Sequence, residues 1–101
     1  MTAQELFNLG VQFSSEGRNE LAMELWNKAT KLDPNFGPAY VNLHNIYRSQ
    51  GNLPLAREML VKFLNCPVNG FTIDSLPKIK QELAELDKQL QAMQQPVQVS
   101  K

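Results

Sequence analysis

The chain has 101 residues, ten Lys and Arg against ten Asp and Glu, and 43% hydrophobic content. That length suits one domain and excludes the ~250-residue barrel and two-domain dinucleotide-binding architectures. No third of the chain is strongly basic, so there is no electrostatic footprint for nucleic acid.

Chemistry-bearing residues are sparse. One cysteine, Cys66, and one histidine, His44, cannot form an internal disulfide or the four-ligand set of a structural zinc site. No nucleophile–base–orienter set, phosphate loop or metal constellation stands in the sequence, so the expectation is a non-catalytic protein without cofactor or metal. The apolar runs fall far short of the ~20 residues that span a bilayer, so no membrane insertion is expected. Met1-Thr2-Ala3-Gln4-Glu5 has neither a basic nor an apolar leader pattern. A reducing, cytoplasmic setting follows as an expectation, with Cys66 a small buried residue at a helix end.

In chain order, Leu6, Leu9, Gly10 and Phe13 share one face at three-and-four spacing, which predicts a first helix. Ser14-Ser15-Glu16-Gly17 ends it, with Gly17 suited to the left-handed position after a helix. Leu21, Ala22, Leu25, Trp26, Ala29 and Leu32 mark a second helix, stopped by Asp33-Pro34. Tyr40, Leu43 and Tyr47 make a third, closed by a turn at Gly51. Leu55, Ala56, Met59, Leu60 and Phe63 make a fourth, with Pro54 tolerated in its first turn.

Gly17 and Gly51 are 34 residues apart, and the whole segment repeats at that interval. Residues 3–34 laid on 37–68 give eight identities: Asn8/Asn42, Leu9/Leu43, Ser15/Ser49, Gly17/Gly51, Leu21/Leu55, Ala22/Ala56, Glu24/Glu58 and Lys28/Lys62. Ordinary residue usage gives roughly two by chance. A helix–turn–helix unit of this length resembles the tetratricopeptide (TPR) repeat. The first unit carries the family's pattern as Leu6-x2-Leu9-Gly10-x2-Phe13, Ala22-x3-Trp26, Ala29 and Pro34. The second has Tyr40-x2-Leu43-His44-x2-Tyr47, Ala56-x3-Leu60, Phe63 and Pro67. It departs at His44 and Phe63, both larger than the usual small residue, and at Pro67, one residue early. His44 is expected as a half-buried structural histidine, with a pH switch as the alternative.

A third copy of the pattern is absent. The 65–70 segment reads as a turn-rich connection, Asp74 or Ser75 as a helix cap and Pro77 as a first-turn residue. Leu76, Ile79, Leu83, Leu86, Leu90 and Met93 then form a stripe on a fifth helix, 75–95, followed by a loose tail, 96–101. The expected fold is all-α: two repeats, 3–36 and 37–70, stacked as a short right-handed superhelix, plus the fifth helix. That helix is expected to cover Phe63 through Leu83, with its distal half overhanging.

The resemblance implies a protein–protein interaction module whose concave groove, lined by the first helix of each repeat, holds a partner's peptide or helix. The groove positions are Gln4, Phe7, Val11 and Ser14 from the first repeat and Pro38, Val41, Asn42, Asn45 and Arg48 from the second. Phe7, Val11 and Val41 form an apolar strip there, so the partner should offer apolar side chains. The competing reading packs Phe7 and Val11 under the C-terminal segment or a neighbouring subunit. One branch of the family grips terminal carboxylates with Lys and Asn; Phe7 and Val11 stand at two of those positions here, so that clamp is not expected. The alternative function is a self-associating module, a homodimer formed through Leu86, Leu90 and Met93.

Overall fold

A computed structural model describes residues 1–67 and 70–94, with side chains described over 1–67 and 76–93. Five helices follow one another: α1 Ala3–Ser15, α2 Asn19–Leu32, α3 Gly37–Ser49, α4 Leu53–Leu64 and α5 Gly70–Gln94. The packing runs α1 on α2, α2 on α3, α3 on α4 and α4 on α5, and no strand is present among the described residues. This is the all-α, TPR-like solenoid that the repeat period predicts.

Local chemistry sets the helix ends. Thr2 accepts from the Glu5 amide at 3.1 Å, and the Glu5 carboxylate accepts from the Thr2 amide at 2.9 Å, so two orphan donors of α1 are satisfied together. The Thr2 backbone amide first, then the Thr2 side chain, hold the Glu5 carboxyl below its ordinary pKa. Gly17 and Gly51 take φ of 81° and 79°, the region an L side chain resists. Each completes the same closing motif: Arg18 N–H reaches the Phe13 carbonyl at 2.9 Å, and Asn52 N–H reaches that of Tyr47 at 2.8 Å. The period in the sequence is therefore a period in hydrogen bonds.

Inside the repeats, two exchanges of volume explain the departures from the family pattern. In the first repeat Gly10 lies under Trp26: a Cβ there would sit 2.4 Å from the indole nitrogen. In the second the equivalent pair is His44 and Leu60, large over small rather than small under large. Likewise Ala3 and Ala29 become Gly37 and Phe63, and a Cβ on Gly37 would meet the Phe63 ring at 3.1 Å. Phe63, Leu43, Leu60 and His44 are all fully buried. In each pair one side chain shrinks where its partner grows, so the larger group has space to enter.

The α2–α3 link is tied down by Tyr40, whose hydroxyl donates to the Pro34 carbonyl at 2.7 Å. Cys66 ends α4 as a buried thiol whose Sγ–H donates to the Lys62 carbonyl at 3.3 Å. Burial first, then the Asp33 carboxylate, pushes the Cys66 thiol up; burial, Cys66 and Asp33 push the Tyr40 phenol up. Both folded pKa values lie above the unfolded ones. The stability they contribute is whole below about pH 8.5, the ordinary thiol value, and is lost as pH rises through the folded values. The melting temperature should fall on moving from pH 7 to pH 10. Iodoacetamide at pH 8 should label Cys66 slowly in the folded protein and fast in urea, because only the thiolate reacts. Equal rates would place the thiol at the surface.

The fifth helix differs from expectation in three ways. It begins at Gly70, five residues before Ser75, so Pro77 lies inside the helix rather than in its first turn. An interior proline costs roughly 3 kcal/mol, which is why local preference favoured the later start. The observed start is 33 residues after Gly37, nearly the repeat period, so α5 takes the place of the first helix of a third repeat. Leu86 is fully buried and Ile79 nearly so, seven residues apart on one face, so the buried stripe continues past Leu83. Leu86 is thus removed from the expected self-association surface. Gln95 and the tail 96–101 lie outside the described residues.

Candidate functional site: the concave cavity between α1 and α3

The first helices of the two repeats leave a cavity of about 310 Å³ between them, lined by Val11, Ser14, Ser15, Trp26, Asn42, Asn45 and Ile46. Trp26 and Ile46 form a buried floor, 2% and 9% exposed, while Val11 on the rim is 41% exposed. The Trp26 indole is held from below, its Nε1–H donating to the Phe7 carbonyl at 3.2 Å. Ser15 donates to the Gln12 carbonyl at 2.7 Å, and the Ser14 hydroxyl lies 3.5 Å from the Asn19 side-chain oxygen. Among the described residues the Asn42 and Asn45 amides make no hydrogen bond, so both donors and acceptors remain available. No charged side chain lines the cavity.

Four of the expected groove residues, Val11, Ser14, Asn42 and Asn45, therefore come together at this cavity. The other five, Pro38 at the start of α3 among them, do not line it. Phe7 is half-buried, its ring 5.4 Å from Phe36 edge-on and 6.4 Å from Trp26. It braces the Trp26 floor instead of facing solvent. Val41 is half-buried against the core as well. Gln4 bonds Asn8 at 2.9 Å on the exposed side of α1. Arg48 turns toward α5, 3.9 Å from Glu85. Trp26 and Ile46 were assigned to the core in one case and passed over in the other; both are core residues whose upper faces floor the cavity. Ile46 replaces Gln12 at the repeat offset, an apolar-for-polar change legible in the sequence.

His44 holds the floor of the second repeat. It is fully buried, not half-buried, and its Nδ1–H donates to the Ala56 carbonyl at 2.9 Å. Nε2 lies 3.1 Å from Glu82 of α5, an ion-pair distance off the line of a hydrogen bond. Two further pairs, Arg48–Glu85 and Arg57–Asp87, join the second repeat to α5.

Residues 10–51 match the TPR repeat family. That span contains every residue lining the cavity and both glycine turns. The match and the five-helix fold fit a TPR protein. A comparison with curated proteins finds no match. TPR repeats are protein–protein interaction modules, and the cavity described above lies between the first helices of the two repeats. Among the described residues, no helix is long and apolar enough to cross a membrane, and no three His, Cys, Asp or Glu side chains group to hold a metal ion.

Proposed function

We propose that the protein is a non-catalytic scaffold or adaptor that takes an extended segment of a partner protein into the α1–α3 cavity. The carrying observation is the combination of an apolar floor, Trp26 and Ile46, with two unengaged amides, Asn42 and Asn45, above it. A single large apolar side chain of the partner fits the floor. The amides, each with two donors and an acceptor, match its backbone on either side. With no charge in the lining, recognition is apolar and amide-based rather than ionic. A reducing, cytoplasmic setting accords with the free thiol of Cys66.

The experiment is peptide display against the folded chain. Enriched peptides should share one large apolar side chain without a charge requirement. Val11→Asp and Asn45→Ala should each weaken them about tenfold or more, the scale of a central contact, while circular dichroism stays native. Peptides that bind the Val11→Asp variant undiminished would move the site elsewhere. The second reading, self-association through the distal part of α5, rests on Leu90 and on Met93, which is 66% exposed.

A further inference from the structure

The outward face of α2 carries an arrangement that the groove does not use. Glu20 and Glu24 occupy its N-terminal half, Lys28 and Lys31 its C-terminal half, and all four are exposed. At 100° per residue they fall within one ~80° arc opposite the buried Ala22, Trp26 and Ala29. Among the described residues none of the four makes an ion pair. On one shoulder of that arc stand two exposed leucines, Leu21 at 39% and Leu32 at 59%. A depression adjoins each: one includes Glu20, Leu21 and Glu24, the other Lys28, Lys31 and Leu32.

Acids early and bases late complement the helix dipole. The same order makes the face complementary to itself. If two copies of α2 lie antiparallel about a two-fold axis, Glu20 and Glu24 of one face Lys31 and Lys28 of the other, twice over. Because Leu21 and Leu32 share one shoulder, the two-fold brings Leu21 of each copy beside Leu32 of its mate on the same side of the interface. In a parallel pairing like charges meet, and the two leucine shoulders fall on opposite sides of the interface. We propose that this face of α2 is a homodimer interface, and that its occupant is a second copy of the chain in antiparallel orientation. The surface lies on the opposite side of α2 from the Trp26 floor, so the groove stays open in the dimer.

One helix face is a small contact, and exposed ion pairs are screened within a Debye length of about 10 Å at 0.1 M salt. The dimer should therefore form at high protein concentration and low salt. The test is sedimentation velocity of the full chain across concentration, with two charge variants, Lys28→Glu/Lys31→Glu and Glu20→Lys/Glu24→Lys. The expected result is a concentration-dependent mass for the parent, weakened by raised salt. Each variant alone should lose association roughly tenfold or more, since like charges then oppose across the axis. An equimolar mixture of the two should regain it, which also shows that both variants are folded. A parent that stays monomeric at every concentration and salt overturns the proposal. So does association that persists in both variants, which would place the interface elsewhere, at Leu90 and Met93 of α5.

Discussion

Replacing Trp26 with alanine is expected to cost ~3–5 kcal/mol, the range for removing a core aromatic. The side chain is 2% exposed, stacks obliquely on Phe7 and bonds its carbonyl. It also lies over Gly10, which has no side chain to move into the space. For a domain of about this size each kcal/mol lowers the melting point by roughly 4–8 °C, so a drop well beyond 10 °C should be seen by calorimetry. A shift of a degree or two would mean that Trp26 is not the anchor of the first repeat. The repeat comparison adds a sharper test. Trp26→Leu with Gly10→His recreates in the first repeat the pair that the second repeat uses, Leu60 with His44. Gly10→His alone should be severely destabilising, because even a Cβ meets the indole at 2.4 Å. The double variant should be more stable than the sum of the two single losses predicts, with a coupling on the order of 1–3 kcal/mol.

That test exposes what the sequence could and could not reveal. Helix spacing and the 34-residue period were legible because local rules produce them: left-handed glycines at 17 and 51, stops at Pro34 and Cys66-Pro67, small residues where helices meet. The role of Phe63 was half legible. Its size argued against a regular third repeat, but the Gly37 that receives its ring is an unremarkable helix-start glycine until the two are placed together. His44 was harder. Nothing near it in the chain supplies Glu82, which lies 38 positions away and reaches the ring only because α5 docks where a third repeat would begin. The same docking turned Arg48 out of the groove toward Glu85. Phe7 failed for a different reason: its helix position faces the groove, but an aromatic side chain is long enough to fold back onto Trp26 and Phe36. In the candidate site, position on the helix identified Val11, Ser14, Asn42 and Asn45, whose short side chains stay where their Cβ directs them. Long side chains, Phe7 and Arg48, went where the best partner was.

The second large effect belongs to Leu86. It is fully buried on α5, two helical turns from Ile79, ~10 Å along the axis at 1.5 Å per residue. Leu86→Ala should cost ~2–5 kcal/mol by lost burial and the cavity left behind, whereas Met93→Ala, seven residues on and 66% exposed, should stay within about 0.5 kcal/mol. A chain ending at Ala84 loses Leu86 together with Glu85 and Asp87, the partners of Arg48 and Arg57. It should be strongly destabilised and show early loss of helix on heating. The Glu82 contact separates the apolar from the polar contribution. Glu82→Ala leaves Leu86 in place and removes only the carboxylate 3.1 Å from His44 Nε2, an atom that already lacks a hydrogen-bond partner, so it should cost less than Leu86→Ala. If Leu86→Ala and Met93→Ala were equally mild, α5 would be an accessory strap rather than part of the core, and two repeats would be stable alone. An array usually needs about three repeats to be stable. By occupying the third place with a single helix, α5 gives α4 the covering layer that an absent repeat would otherwise provide and brings Glu82 to His44, and it does so with a face whose outer side, at Gln81, Ala84 and Lys88, is solvated. The cost of losing Leu86 measures how much of that covering layer the two repeats require.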